Sequence, residues 1–196
     1  MINIPQEFTQ QYVAGRNEWH GVPARYLQPD RTSFAPGQSV VQSIGDIETM
    51  KTQPFVVTPK DYNPALNVLG VRITVLAPNT ATHGYEITLQ EGDEGAGPPP
   101  HSHAWDESFY VLKGNVEIIC EDKTVMCVPG TLVHVPAGTV HGYRFGEGGG
   151  EMFEVSGHGG FATQMFTNVS KAIPPGPPDI AKLLGLLKEN GVTVAA

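Results

Sequence analysis

The 196-residue sequence is short of charge. Charged residues make up 16% of the chain, against roughly 25% in an average globular domain. Long exposed helices draw on Glu, Lys and Arg, so a helical bundle or coiled coil is not expected. The deficit does not signal disorder, because 40% of the residues are hydrophobic and such a chain can bury a core. Positive charge is scarcest: 12 Lys and Arg against 20 Asp and Glu leave a net charge of −8. An acidic chain is repelled by phosphate backbones and anionic lipids, so neither nucleic acid nor a membrane is an expected partner. Long apolar runs are missing as well. The longest, counting glycine, is Leu183 to Leu187, far short of the roughly 20 residues that cross a bilayer. Met1 to Gln10 has neither a basic start nor an apolar stretch, so no secretory signal is expected. Two cysteines, Cys120 and Cys127, are too few for a disulfide framework. A reduced, cytoplasmic protein is the expectation.

What the sequence has in excess is turn chemistry. It holds 23 glycines and 17 prolines, about 20% of the chain against roughly 12% in average usage. The length fits one large domain. Residues 1–65 are broken by prolines at 5, 23, 29, 36, 54, 59 and 64, and read as an irregular arm. A short helix over Gln6–Ala14 and an edge strand at Phe55-Val56-Val57 are its only expected elements. From Val68 short β-rich runs alternate with Gly/Pro turns: Val71–Leu76, Tyr85–Gln90, Ser108–Leu112, Val116–Cys120, Val125–Val128, Thr131–Val135, Val140–Phe145 and Met152–Val155. This spacing predicts an all-β, antiparallel sandwich or barrel over 66–165. Lys113-Gly114-Asn115 and Gly148-Gly149-Gly150 read as turns, and Glu121-Asp122-Lys123 as a hairpin loop. Residues 166–196 read as a proline-rich linker and a C-terminal helix. Asp179 is its N-cap, Ile180, Leu183, Leu184 and Leu187 form its apolar face, and Asn190-Gly191 is its stop.

The chemistry concentrates in two segments. In Gly95-Ala-Gly-Pro-Pro-Pro-His101-Ser-His103-Ala-Trp-Asp-Glu107, His101 and His103 are two apart, so a strand aims both imidazoles at one side. Glu107 has the same parity after a kink at Ala104–Asp106. Further on, Gly130-Thr-Leu-Val-His-Val-Pro136-Ala-Gly138-Thr-Val-His141 makes a tight turn that delivers another imidazole. Any one of these residues alone reads as an ordinary core or surface group. Three imidazoles and a carboxylate together make a shell for one divalent transition metal: Fe, Ni, Mn, Co, Cu or Zn. By parity, Phe109 follows Glu107 and Tyr143 and Phe145 follow His141, which makes them candidate walls of a pocket. Their aromatic character suits a flat organic ligand. No cluster of Lys or Arg accompanies the motifs, which disfavours phosphorylated or dicarboxylate substrates. His134 alternates away from Val133 and Val135, and His20, His83 and His158 read as surface residues.

The two segments resemble the signature motifs of the cupin superfamily. Gly95, His101, His103, Glu107 and Gly114 match the first motif, and Gly130, Pro136, Gly138 and His141 match the second. Phe145 stands where the family has Asn. The resemblance implies a double-stranded β-helix, or jelly-roll, barrel, with His101, His103, Glu107 and His141 as metal ligands. His101-Ser-His-Ala, Phe109-Tyr110, Val135-Pro136 and His141-Gly-Tyr143-Arg144 are similar to the single-domain bacterial quercetin 2,3-dioxygenases and their relatives. That likeness implies a dioxygenase acting on a flavonol-like or enolic aromatic substrate, with Glu107 as base. Other enzyme classes stay open: a lyase, cyclase or isomerase using the metal only as a Lewis acid, or a non-enzymatic small-molecule binder. Scattered aromatics in the arm, and the family's habit, lead to the expectation of a homodimer.

Overall fold

The computed structural model describes residues 52–195. Nine strands follow in order: β1 (Leu66–Val68), β2 (Val71–Ala77), β3 (Glu86–Gly92), β4 (His101–Ser102), β5 (Glu107–Cys120), β6 (Lys123–Cys127), β7 (Leu132–Val135), β8 (His141–Ser156) and β9 (Thr193–Val194). Three α-helices, α1 (Asn79–Thr82), α2 (Ala162–Ala172) and α3 (Ile180–Glu189), and a 3-10 turn at Pro59–Asp61 accompany them. All strand pairs are antiparallel. The spatial order is β1-β2-β3-β8-β4-β9, with β5 joining β8 to β6 and β7. The expected all-β jelly-roll barrel is the fold.

Two long strands organise it. β5 and β8 run side by side from the Glu107–Ser156 pair to the Cys120–His141 pair. The first half of β5 also pairs with β7 and the second half with β6, while β8 pairs with β4 and then with β3. The strands thus change neighbours half-way, which curls the sheet on itself. The corner lies at Gly114 and Gly146–Gly150, where the register shifts. A Cβ on Gly114 would stand 2.1 Å from the Gly149 carbonyl oxygen, and both residues have positive φ. Only glycine permits that approach. The two glycine segments expected as turns are therefore a bulged corner inside continuous strands. Glu121-Asp122 is the hairpin turn between β5 and β6. Cys120 and Cys127 sit at opposite ends of that hairpin and are free thiols.

Val71, Ile73, Phe109, Val111, Val116, Ile118 and Met152, each at most 2% exposed, fill the barrel. The C-terminal helices roof one end of it. α2, which the sequence reading had not separated from the linker, buries Ala162, Met165, Phe166 and Val169. Asp179 caps α3 by accepting from the Lys182 amide at 3.1 Å, and Leu183 and Leu187 turn inward. Ile180 and Leu184 are exposed instead. They lie on the flank of the stripe, and only its centre meets the barrel. α3 ends at Asn190-Gly191, with Gly191 at φ 78°, as its sequence predicts. Phe55-Val56-Val57 is irregular rather than a strand, because no edge pairs with it. The expected helix over Gln6–Ala14 lies outside the described residues. Among the described residues, no helix is long and apolar enough to cross a membrane.

Candidate metal centre

The first motif is delivered by a stiff approach. Pro98-Pro99-Pro100 leads into β4 over Gly142, where a Cβ would stand 3.1 Å from the Pro98 carbonyl oxygen. β4 is held on both sides, His101 pairing with His141 of β8 and with Val194 of β9. The Ala195 amide also donates to the Pro100 carbonyl at 2.9 Å. The second motif's tight turn is locked onto the first: the Gly138 amide donates to the His103 carbonyl at 2.8 Å, and the Ala137 amide to Asp106 Oδ1 at 2.8 Å. The two segments, about 35 residues apart in sequence, thereby fix each other's geometry.

One nitrogen of each of His101, His103 and His141 lies within 4.8 Å of the others. Their Nδ1 atoms lie 2.9 Å from the carbonyl oxygens of Pro99, Trp105 and Thr139 respectively. A carbonyl only accepts, so each Nδ1 carries a proton, and Nε2 is the nitrogen that offers a lone pair to a metal once its own proton is gone. Glu107 Oε2 stands 2.9 Å from His141 Nε2 and 3.4 Å from His103 Nε2. Three oriented lone pairs and a carboxylate within reach are a donor set fit for a mid-series divalent metal, with the backbone bonds acting as the outer support such ligands need. Trp105, which the sequence reading passed over, stacks on His103 with ring centroids 4.0 Å apart and planes within 4°. It blocks rotation of that imidazole.

The electrostatics agree with that arrangement. Burial holds the His101 pKa down to about 4, helped by the charge of His141. Burial works against the charged form of Glu107, but hydrogen bonds from His103 and His141 prevail and bring it down to about 2. Burial also opposes the charged ring of His141, yet the Glu107 bond and charge raise its pKa. Glu154 is pushed well above the carboxylate range, first by burial and then by the charge of Glu107.

The centre opens on a cavity of about 60 Å³, small beside the roughly 300–1,000 Å³ of clefts for drug-sized ligands. Its walls are mostly apolar, with Ile73 and Phe109 from the barrel and Phe166, Leu183, Leu187 and Val194 from the roof. Phe109 and Tyr143 line it, and Phe145 does not. Phe145 packs edge-on against Tyr143, beneath Gly92 and Gly150, as core. His134 is exposed and bonds Ser108 Oγ at 3.0 Å. His83 and His158 are also exposed, while His20 lies outside the described residues. Two polar cavity residues escaped the sequence reading, Gln90 and Glu154. Their only sequence signal is a polar residue at every second position of β3 and near the end of β8.

The family profile of the cupin domain matches residues 85–155. The matched part of the barrel, from the start of β3 to the end of β8, is similar to cupin domains. The cupin segment is similar to a quercetin 2,3-dioxygenase of Bacillus subtilis, with 35% identity over 92 residues, 46% of this chain. The match spans 27% of that relative's length. KdgF from a Halomonas species shares the fold at a TM-score of 0.50 and 20% identity, over 54% of this chain and 94% of the other. An RmlC-like cupin from Shewanella frigidimarina aligns at a TM-score of 0.49 and 18% identity, over 56% of this chain and 95% of the other.

Proposed function

We propose that this cupin is a metal-dependent dioxygenase acting on an enolic or flavonol-like substrate. The observation that carries the proposal is the cluster of three imidazoles with the carboxylate of Glu107 against two of them, His103 and His141, on the wall of an apolar cavity. His101, His103 and His141 would hold the metal with Glu107. When bound, a divalent metal supplies Lewis acidity and, for a redox-active ion, a route for electrons to dioxygen. Glu107 is ionised at neutral pH and accepts the proton that a substrate hydroxyl or acidic carbon gives up. The apolar walls exclude water from that transfer. The cavity's size favours a compact substrate or the reacting end of a larger one, and a whole flavonol would require the roof of α2, α3 and β9 to part. The resemblance to the Bacillus quercetin 2,3-dioxygenase supports the oxygen-dependent reading.

The test is oxygen consumption by protein loaded separately with Fe, Ni, Mn or Co, against a panel of flavonols, β-dicarbonyls and small α-hydroxyketones. Uptake that depends on substrate and metal is the expected result. Turnover of the same compounds at an unchanged rate without oxygen would assign the site to the lyase, cyclase or isomerase class instead. The homodimer belongs to this proposal as well. The outer face of the sheet exposes Tyr85, Tyr110 and Val155, an apolar surface suited to a symmetric partner. Light scattering on the intact protein decides it.

A further inference from the structure

Among the described residues, Glu154 is the one acidic or basic side chain on the cavity wall outside the histidine–Glu107 cluster. It is only 3% exposed. A carboxyl this deeply buried is ordinarily matched by a cation, yet among the described residues no Lys or Arg lines the cavity. Its hydrogen-bond donors are neutral side chains, and the one charged group that acts on it is the neighbouring Glu107 carboxylate, of the same sign. Ser156 Oγ donates to Oε1 at 3.0 Å, and Gln90 Nε2 donates to Oε2. Gln90 is fully committed: its second N–H points at Thr88 Oγ1 at 3.4 Å, and its oxygen accepts from the Tyr143 hydroxyl. The three side chains form one directed chain, Tyr143 to Gln90 to Glu154, with both ends on the cavity wall. Its ends keep unused polar capacity, the carboxyl oxygens of Glu154 and the phenolic oxygen of Tyr143. Strand pairing sets Glu154 opposite Phe109, two residues along from the Glu107–Ser156 pair, so this polar end lies beside the metal-ligating carboxylate. In an otherwise apolar wall, a few polar groups of this kind fix a ligand's orientation.

From this chain we infer that Glu154 anchors a hydroxyl group of the substrate, next to the oxygens that engage the metal centre. A hydroxyl both donates and accepts, so it fits the chain whichever way the Gln90 amide is turned. The substrate class that follows is a compact α-hydroxycarbonyl or enediol compound carrying a further, flanking hydroxyl. Tyr143 acts through Gln90 and is a positioning residue. This inference rests on the enolic reading of the site, and deepens it.

The test uses binding rather than turnover. Protein loaded with Co(II) is titrated, without oxygen, with acetohydroxamate and with 2-hydroxyacetohydroxamate. These are unreactive enediolate mimics that differ by one flanking hydroxyl. A hydrogen bond to a buried charged or strongly polar group corresponds to about tenfold in affinity or more, so the wild-type protein should prefer the hydroxylated probe by about that factor. Glu154→Leu should bring the preference below about twofold, with cobalt content and acetohydroxamate affinity retained. Tyr143→Phe should cut it by about threefold through the loosened Gln90, and it carries the test if Glu154→Leu does not fold. A wild-type protein without preference, or a preference untouched in either variant, overturns the inference. Equal loss of both probes also overturns it, because that is the mark of a merely structural role. The oxygen assay is independent. Failure there with the preference intact sinks only the dioxygenase reading, and oxygen uptake with a preference indifferent to Glu154 sinks only this one.

Discussion

The cavity has two polar regions, and they are built on opposite principles. The candidate metal centre gathers His101, His103, Glu107 and His141 from segments rich in proline and glycine, where each imidazole is steered by a backbone carbonyl at 2.9 Å. The wall formed by β3 and β8 gathers Thr88, Gln90, Glu154 and Ser156 from regular strands, where alternation alone sets direction. On β3 the usual arrangement is inverted. Glu86, Thr88 and Gln90 face inward and are at most 3% exposed, whereas Ile87 and Leu89 face outward. Strands with one face buried normally keep apolar residues inside. Turning polar residues inward costs desolvation unless they bond one another, and here they do, through the chain from Tyr143 to Glu154. The difference teaches that the metal centre is held by backbone geometry, while the wall beside it is held by side chains satisfying each other.

Substitutions can break that contrast, and the largest effect is expected on the reaction itself. Glu107→Gln keeps an oxygen at the same point but no longer accepts a proton, so turnover should fall by about 10²–10⁴-fold while metal content is largely retained. Steady-state rates and elemental analysis of the same preparation check it, and unchanged turnover would reject Glu107 as the base. Next comes the metal. His141→Ala or His103→Ala should lower affinity by about 10–100-fold, the scale seen when even supporting groups of a metal site are removed. Competition with a chelator measures this, and full occupancy in His141→Ala would show that His141 does not ligate.

The pH dependence of metal uptake separates two of the imidazoles, His141 and His101. The His141 pKa is raised in the metal-free protein, so below it a proton must leave before metal binds, and affinity should fall about tenfold per pH unit. His101, held down to about 4, adds a second proton only below that pH. Its depressed value also sets a stability trend. Between about pH 6.5 and 4 the unfolded chain binds a proton at His101 that the folded chain does not, so this residue lowers the stability of the metal-free protein as pH drops through that window. Uptake measured at several pH values, alongside thermal melts of the metal-free protein, tests both statements.

A smaller effect is expected from β9. Ending the chain after Gly191 removes the strand that pairs with His101 and Ser102 and takes Val192 and Val194 out of the cavity wall. Metal affinity should fall by a few-fold, roughly 1 kcal/mol for a lost support to a ligand-bearing strand, and chelator competition reads it. An unchanged affinity would show that β8 alone fixes β4. The smallest effect belongs to His134→Ala. Among the described residues this exposed side chain bonds only Ser108, on the outside of the barrel, and metal content and activity should not change.

The sequence by itself determined the barrel and singled out the candidate ligands. Two residues apart on a strand means the same side, a Pro-Ala-Gly turn reverses the chain, and low charge with abundant turn residues leaves little but an antiparallel β fold. Those rules are local, so they place His101 and His103 and predict the α3 cap at Asp179 without knowledge of any neighbour. Other features exist only once distant segments meet. Gly114 and Gly148–Gly150 look like turns until β5 and β8 lie side by side and require a bulged corner there. Phe145 shares the parity of Tyr143, yet it packs under Gly92 and Gly150 and never reaches the cavity. The roof of α2, α3 and β9 over the metal centre is a long-range docking that periodicity does not reveal. The inward Glu154 is the sharpest case. A glutamate on a strand reads as solvent-facing, because burying its charge alone is unfavourable. Only the tertiary structure supplies Gln90, Ser156 and Tyr143 as the partners that make its burial possible.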